Sequence, residues 1–341
     1  MSDKPVLSVV IATYNRCNTL TETLKRLAKQ SLIGEKFEVI VVDDDSPDQT
    51  REIVNSLIPS MPYSLRYLHH KNQGPGFSQN RGIKAAHSDL IVMIVEDIWV
   101  TPQFLEQHLK THTEYPQLHI AVLGKVLKSS QLPPTIMHKY WDPFRYDVLE
   151  GKHELDSVYF FGCNISFKKQ FFLENGMFRH RGAIAHEDIE LGYRLGQKGL
   201  RIIYNKDALA YHFHPETLEG ACQRAYERGR NFDVLSENIP KSYIFPLYHI
   251  FTLQAGLWGC LKMLPREIVR RILFNRFTVN SFWIKILNYA EANPVAALFA
   301  SNITFRGTVN YHMRLGFNDL KKKRNKALHK TVSADFEIKA E

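Results

Sequence analysis

The sequence predicts an α/β fold, in which a doubly wound sheet is followed by a helical and basic C-terminal extension. Apolar segments of strand length alternate with amphipathic helical segments over residues 5–100, an order that produces parallel strands with helices on both faces of the sheet. Residues 241–341 hold 16 Lys and Arg against 6 Asp and Glu. Because the whole chain has 44 and 35 of these residues, all of its cationic excess lies in this last third.

Residues 5–100 are predicted to form four strands joined by three helices. The second and fourth strands are continuous apolar runs rich in Val and Ile, as expected when both faces of a sheet are covered. Leu20, Leu24 and Leu27 have the spacing of one helix face, which indicates the first helix. The predicted strands are Val6–Ile11, 37–42, Leu65–Leu68 and 90–95, and the predicted helices are Thr19–Gln30, Gln49–Leu57 and Ser78–Ala86.

After Pro102 the alternation is less regular. We expect helices over Phe104–Tyr115 and Ile189–Lys198, a long loop over Gln131–Gly151, and helical structure from Thr217 onward. The predicted strands of this part are Ile120–Leu127, Val158–Phe167, Arg201–Tyr204 and Ala208–Tyr211.

The segment Tyr243–Leu261 contains no Lys, Arg, Asp or Glu. Its length is close to the roughly 20 apolar residues that span a bilayer. However, Pro246, His249 and two glycines interrupt the segment, and several arginines follow it. We therefore predict a helix that lies at the membrane interface or docks on the main domain, rather than a transmembrane helix.

Composition also limits the compartment and the partner. The four cysteines show neither metal-type spacing nor a disulfide framework, which favours a reducing compartment. No apolar segment precedes the first strand, so we expect no signal peptide. The cationic last third predicts an anionic partner, lipid or nucleic acid. Nucleic acid is disfavoured because the basic residues are not interleaved with the aromatic residues of RNA-binding motifs.

Two predicted strands end in carboxylates. Asp43–Asp45 follows the strand 37–42, and Glu96–Asp97 follows the strand 90–95. Acidic side chains beside a core are costly unless a cation or hydrogen-bond donors meet them. In open α/β sheets, ligands bind beyond the carboxyl ends of the strands. The two acidic ends therefore predict one site for a metal ion and a phosphorylated ligand.

Glu187 and Asp188 precede the predicted helix Ile189–Lys198, and their spacing leaves two interpretations open. Carboxylates in a first turn are stabilised by the helix dipole, by about 0.3–1 kcal/mol, so the pair can be an acidic helix start and nothing more. Alternatively, the helix positions Asp188 as a general base that takes a proton from an acceptor hydroxyl.

Five motifs occur in the order that is typical of one enzyme family. They are Val9–Arg16, Val41–Asp48, Asn72–Gly76, Asn80–Gly82 and His186–Asp188. Together they resemble the family 2 glycosyltransferases of GT-A fold, and five ordered motifs make a chance match improbable. The resemblance implies a GT-A type doubly wound mixed sheet.

The resemblance also implies a domain organisation. Residues 1–235 would form the GT-A catalytic domain, with a nucleotide-binding half over 1–100 and an acceptor half over 101–235. Residues 236–341 would form a helical basic region that associates with a membrane or dimerises.

Roles for individual residues follow from the positions that match the family motifs. Asp97 would bind a divalent cation, Mn²⁺ or Mg²⁺, with His212 as a second ligand and His214, two residues on, as a weaker candidate. Asp188 would be the catalytic base, with Glu187 beside it. The implied nucleotide-binding residues are Ala12, Thr13, Tyr14, Arg16, Asp44 and Glu96, and the implied acceptor-binding residues are Gly162, Asn164 and Trp141.

Some positions leave alternatives. Relatives commonly carry an acid where Val95 stands and an arginine where Gln79 stands, so these two residues do not specify the nucleotide. Trp141 and Phe144 stack on a sugar, form a lid that closes over the donor, or pack in the core beneath their loop.

The expected function is an inverting transfer of a sugar from a nucleoside-diphosphate sugar, UDP-sugars being favoured, to a hydroxyl of a glycan or lipid-linked acceptor. The expected location is cytoplasmic, peripheral at the inner face of the cell membrane through residues 241–330, with no nucleic-acid partner. The alternatives are a glycosyltransferase-like fold without activity, against which the presence of Asp97 and Asp188 argues, and, from other classes, a nucleic-acid-binding protein and a sugar nucleotidyltransferase. The nucleotidyltransferase is disfavoured because no glycine follows the first strand in Ala12–Arg16.

Overall fold

The computed structural model describes residues 4–32, 36–133, 135–140, 146–179, 185–236, 239–240, 268–293 and 302–337. The chain forms two compact units. The first contains Met1–Pro133 and Asp142–Pro215, and the second contains Pro134–Trp141 and Glu216–Glu341. The assignment of a catalytic domain to residues 1–235, with halves meeting at residue 100, stays a prediction.

A nine-stranded mixed sheet forms the centre of the first unit among the described residues. Its strands are β1 (Leu7–Thr13), β2 (Phe37–Asp43), β3 (Ser64–His69), β4 (Leu90–Val95), β5 (Ile98–Val100), β6 (Ile120–Lys128), β7 (Glu154–Leu155), β8 (Asn164–Lys168) and β9 (Arg201–His212). Their spatial order is β3-β2-β1-β4-β8-β6-β9-β5, with β7 paired to β9.

Three parallel pairings build the half of the sheet that the sequence predicted. β1 pairs with β2 and with β4, and β2 pairs with β3. Every residue of β1 and β2 is buried, because helices cover both faces. The helices of this half are α1 (Cys17–Leu27), α2 (Thr50–Leu57) and α3 (Pro75–Ala85), whereas α4 (Phe104–Glu114) packs on β6 and β9.

The start of α3 corrects the predicted helix Ser78–Ala86. The helix begins three residues earlier, at Pro75, directly after Gly74 at a φ of 91°. Proline is suited to a first helical position because its φ is already helical and its missing N–H has no helical partner there. The glycine supplies the positive φ that turns the chain into the helix.

The antiparallel strands lie in the other half of the sheet. β8 runs antiparallel to β4 and β6, whereas β6 and β9 are parallel. The predicted strand Val158–Phe167 is wrong in its first half, because Ser157–Tyr159 is a 3-10 turn and the strand begins at Asn164. The predicted strands Arg201–Tyr204 and Ala208–Tyr211 are one continuous strand, β9. β6 accommodates it by a register shift between Gly124 and Val126.

Three further segments complete the first unit. They are the 3-10 turn Tyr146–Leu149 and the helices α6 (Lys169–Asn175) and α7 (Glu187–Gly196). The predicted loop Gln131–Gly151 contains that turn and also a short helix of the second unit, α5 (Ile136–Tyr140). The sequence pattern did not predict this turn or this helix, because an element of only four or five residues is too short to show a periodic apolar pattern.

The second unit is helical, as the sequence predicted for the C-terminal region. Its longer helices are α8 (Leu218–Arg230), α9 (Phe232–Ser236), α10 (Ile284–Ala292) and α11 (Asn302–Glu337). Gly229 of α8 and Gly316 of α11 lie at the closest approach of these two helices, where a Cβ atom on either would meet the opposing backbone.

Membrane insertion has no candidate among the helices that the structure describes: none combines the length and apolar character needed to cross a bilayer. The predicted interfacial helix Tyr243–Leu261 lies outside the described residues.

Candidate active site

The carboxyl ends of β1, β2 and β4 lie side by side. Thr13 at the end of β1 pairs with Asp43 at the end of β2, and Ala12 pairs with Val95 at the end of β4. The acidic segments that follow β2 and β4 therefore leave the sheet at one edge, as expected for parallel strands in register.

Pairing between β5 and β9 brings two histidines to Asp97. Ile98 of β5 lies opposite His212, the last residue of β9. The Nε2 atom of His212 lies 3.4 Å from Oδ2 of Asp97, and the Nδ1 atom of His214 lies 2.8 Å from the same oxygen. The backbone N–H of Phe213 donates to the carbonyl oxygen of Asp97 at 2.9 Å. The two histidines and Asp97 thus form one cluster at the strand ends.

The two adjacent acids of this cluster have opposite pKa shifts. Burial, and then the charge of Asp97, raise the pKa of Glu96 to about 8. Burial also acts to raise the pKa of Asp97, but the hydrogen bonds and charges of His212 and His214 outweigh it and hold that pKa below its usual range. Asp97 is therefore the carboxylate that stays ionised at neutral pH.

The cluster fits a divalent cation. Asp97, His212 and His214 offer one ligand atom each, and these atoms lie within 4.8 Å of one another. The Oδ1 atom of Asp97 is buried and has no hydrogen-bond partner among the described residues. A buried, unpaired carboxylate oxygen is costly, and a cation bound there would remove that cost. Carboxylate oxygen and imidazole nitrogen are both common metal ligands.

Arg16 adds a positive charge beside this cluster. Its Nε lies 3.4 Å from Oε1 of Glu96, and its Nη1 lies 3.9 Å from Oδ2 of Asp97. Nη1 also lies 3.2 Å from Nδ1 of His214. That ring nitrogen cannot accept from Arg16 and donate to Asp97 at once, so only one of its two close contacts is a hydrogen bond.

The other nucleotide-binding candidates occupy the same edge of the sheet. Ala12 and Thr13 are buried at the end of β1, whereas the side chain of Tyr14 is exposed. Asp44 is buried and holds the Gly-rich loop, because its two oxygens accept from the backbone N–H groups of Gln73 at 2.8 Å and Gly74 at 2.9 Å. Asp44 therefore shapes the loop that precedes α3.

Asp188 lies in the first turn of α7, beside the turn that precedes β8. Its Oδ2 accepts from the backbone N–H of Gly162 at 3.4 Å, and its Oδ1 accepts from that of Ile189 at 2.8 Å. Glu187, half-buried, is the first residue of the same helix. A Cβ at Gly162 would lie 3.9 Å from the Cβ of Asp188, so this glycine leaves room beside the carboxylate.

The thiol of Cys163 connects the two acidic positions. Burial raises its pKa, the charge of Asp188 raises it further, and the charge of Asp97 adds to the shift. Both carboxylates are therefore within electrostatic range of one side chain. That Asp97 and Asp188 line one site stays a prediction.

Asn164 does not have the surroundings expected for a sugar-binding side chain. It is fully buried. Its Oδ1 lies 2.9 Å from Nε2 of His108, and its Nδ2 donates to the carbonyl oxygens of Ala208 at 3.0 Å and Lys125 at 3.3 Å. The geometry argues against the predicted acceptor contact and gives Asn164 a structural role between α4, β6 and β9.

Two features of the site were underestimated from the sequence. His214 was the weaker histidine, yet it lies closer to Asp97 than His212 does. The contacts of Arg16 with both acids were not anticipated. The spacing of His212 and His214 was the available signal, but only the β5–β9 pairing shows what they face. Trp141 and Phe144 lie outside the described residues.

Comparisons with known proteins agree with this architecture. Residues 8–174 match the sequence model of glycosyl transferase family 2. The chain is 28% identical over 242 residues to validoxylamine A glucosyltransferase of Streptomyces hygroscopicus subsp. jinggangensis (strain 5008), covering 61% of this chain and 55% of the relative. It is 27% identical over 278 residues to chondroitin synthase of Escherichia coli, covering 70% and 39%. The chain thus spans about half the length of the curated relatives it matches.

A solved structure with a similar fold is the mannosyltransferase PcManGT from Pyrobaculum calidifontis in complex with GDP-Man and Mn²⁺. It superposes with a TM-score of 0.59 at 17% identity, covering 93% of this chain and 87% of that chain. The mixed sheet is therefore that of the GT-A glycosyltransferases, which confirms the predicted fold class. The matched region, residues 8–174, belongs to glycosyl transferase family 2, and the curated relatives that the chain resembles are named glycosyltransferases or polysaccharide synthases.

Proposed function

We propose that this protein is a metal-assisted, inverting glycosyltransferase that moves a sugar from a nucleoside-diphosphate sugar to a hydroxyl of an acceptor. The observation that carries the proposal is the cluster of Asp97, His212 and His214, on the edge of the sheet where β1, β2 and β4 end. Gly162, whose backbone N–H donates to Asp188, lies against Met93 of β4, since a Cβ on this glycine would be 3.3 Å from Cε of Met93, and this supports a base close to the same strand.

The proposed reaction is a single displacement at the anomeric carbon. The acceptor oxygen forms a bond to this carbon as the bond to the diphosphate oxygen breaks, which inverts the configuration. Asp188 takes the proton of the attacking hydroxyl. The N–H groups of Gly162 and Ile189 hold its carboxylate in place. A divalent cation, when bound, neutralises the charge that develops on the diphosphate leaving group.

The donor would lie along the ends of β1 and β2. Tyr14 offers an exposed ring on which a base can stack, and Asp44 positions the backbone of the Gly-rich loop. Arg16 would place a positive charge beside the diphosphate. We propose a UDP-sugar as the favoured donor, although the PcManGT complex contains GDP-Man.

The ligand set favours Mn²⁺ over Mg²⁺. Two of its three members are imidazoles, whereas Mg²⁺ prefers oxygen ligands and retains several waters. Imidazole and carboxylate together suit a transition metal better. The Mn²⁺ in the PcManGT complex is consistent with this preference.

For the acceptor we propose a glycan or a lipid-linked glycan. The chondroitin synthase relative is named for making a polysaccharide. The cationic excess of residues 241–341 favours a peripheral position at the inner face of the cell membrane, where a lipid-linked acceptor would be met. No role for nucleic acid is proposed.

Replacement of the base tests the reaction. Asp188→Asn keeps the size of the side chain but removes its basicity, so kcat is expected to fall by at least about 100-fold, while nucleotide binding with Mn²⁺ is retained. The assay follows nucleoside diphosphate release from a panel of nucleotide sugars with oligosaccharide acceptors. The matched control is Asp89→Asn, an exposed acid paired with Lys4, which should leave kcat unchanged. An unchanged kcat in Asp188→Asn would remove Asp188 as the base.

A further inference from the structure

The second unit exposes an unusual number of large apolar side chains over a short stretch. Six of the fifteen residues 268–282 are large apolar residues with exposed side chains, and we call them the apolar patch: Ile268, Val269, Ile272, Leu273, Phe277 and Phe282. The exposed fraction is 77% for Phe277 and 63% for Ile272. Soluble proteins rarely leave apolar groups clustered in water, and such clusters mark binding surfaces for proteins or membranes.

Phe277 is exposed because residues on either side of it in the sequence are buried in the unit. Phe274 and Val279, three residues before it and two after, are buried. The ring of Phe274 packs 5.6 Å from that of Trp283, and its carbonyl oxygen accepts from Nη2 of Arg314 at 2.8 Å. Because the residues on both sides point into the unit, the fold itself turns Phe277 outward.

A local cap fixes the turn that carries Phe277. Asn275 accepts from the N–H groups of Phe277 at 2.9 Å and Thr278 at 3.1 Å, and Oγ1 of Thr278 accepts from the N–H of Asn275. This is a complete capping box, a motif that satisfies the first N–H groups of a helix. The turn therefore presents its phenylalanine in a defined orientation.

Over residues 268–290 every charged residue of the sequence is a cation, and the acids Glu267 and Glu291 flank this range. Arg270, Arg271, Arg276 and Lys285 lie within or beside the apolar patch, and no Asp or Glu occurs between residues 268 and 290. Apolar side chains mixed with cations match the surface of an anionic bilayer, because the apolar side chains insert among the acyl chains and the cations bind the phosphate head groups. A two-fold contact between copies of the chain would instead place like charges together.

We propose that residues 268–285 dock this protein on an anionic lipid bilayer, with Phe277 and Ile272 entering the acyl region and the arginines at the head groups. The proposal deepens the proposed function and rests on it for its purpose, since docking would hold the catalytic unit near a lipid-linked acceptor. The charge of residues 241–341 indicated only that this region contacts a membrane, whereas the exposed residues of 268–285 define the contact surface.

Vesicle co-sedimentation of the full chain tests this surface. The wild-type protein is expected to bind vesicles of phosphatidylcholine with phosphatidylglycerol at physiological salt, and to bind pure phosphatidylcholine at least tenfold more weakly. Phe277→Glu and Ile272→Glu should each weaken binding to the anionic vesicles at least tenfold. Both side chains are exposed, so the thermal unfolding midpoint should stay unchanged.

The matched control is Leu118→Glu, the same kind of change at an exposed leucine of the first unit, which should keep wild-type vesicle binding. Equal weakening by Leu118→Glu and Phe277→Glu would overturn the proposal, as would equal binding of the wild type to neutral and anionic vesicles. Loss of a dimer or of nucleic-acid binding in Phe277→Glu, with vesicle binding intact, would assign the patch to another partner. Asp188→Asn should bind vesicles normally, which separates this result from any failure of the catalytic proposal.

Discussion

Asn164 provides the sharpest test of the structure against the sequence. Asn164→Ala would remove one hydrogen-bond partner from each of three groups: the buried ring of His108, the buried carbonyl oxygen of Ala208 and the partly buried carbonyl oxygen of Lys125. A buried polar group left without a partner costs about 1–3 kcal/mol. The carbonyl oxygens are at the lower end of that range because each has a second lone pair. We therefore expect a loss of about 3–5 kcal/mol in the free energy of unfolding.

Urea denaturation monitored by circular dichroism measures this change, with Asn175→Ala as the control. Asn175 is half-buried and donates one hydrogen bond, to the carbonyl oxygen of Phe171 at 2.9 Å, so its loss should cost about 1 kcal/mol or less. A loss below about 1 kcal/mol in Asn164→Ala would refute the structural role. If KM for the acceptor then rose with stability unchanged, the acceptor contact implied by the family resemblance would be right instead.

Two further predictions concern the metal cluster and the buried histidines. Mn²⁺ with a nucleoside diphosphate should raise the Tm of the wild type. Most of that increase should be lost in each of the variants Asp97→Asn, His212→Ala and His214→Ala. If His214→Ala showed the full increase in Tm, His214 would be excluded as a metal ligand. Burial lowers the pKa of His108 to about 4 and that of His112 to about 3 from an ordinary 6.5, so the unfolded chain binds protons first as the pH falls. The contribution of these residues to the free energy of unfolding should be constant above pH 7. It should decline below about pH 6.5, by up to about 1.4 kcal/mol per pH unit for each histidine. Urea titrations in which the free energy of unfolding does not decline between pH 6.5 and 5 would contradict this.

Much of the parallel half of the sheet follows from local sequence alone. The apolar runs of β2 and β4, alternating with helical segments, indicated strands covered on both faces, and their ends place Asp43–Asp45 and Glu96–Asp97 at one edge of a parallel sheet. The spacing of Leu20, Leu24 and Leu27 defines the buried face of α1. These features depend on side-chain periodicity over a few residues, which the sequence displays directly.

The antiparallel half was harder to predict because its strands are partnered by residues distant in the chain. The stretch Val158–Phe167 is apolar throughout, so its pattern resembles one buried strand. In the structure only Asn164–Lys168 pairs with β4 and β6, and the preceding turn brings Gly162 to Asp188. An apolar run reports burial, but it does not report whether the buried segment is strand or turn.

The sequence by itself determined the α/β class, the resemblance of residues 8–174 to glycosyl transferase family 2 and the identity of the acids at the strand ends. Only the tertiary structure decided which groups meet those acids. β5 pairs with β9 across more than a hundred residues, and this pairing brings His212 and His214 to Asp97. Likewise, Asn164 is a buried structural residue because its amide group donates hydrogen bonds to backbone carbonyl oxygens of β6 and β9. The physical reason is that local patterns record which face of an element is buried, whereas a ligand set depends on long-range strand order and register, which no short window of sequence contains.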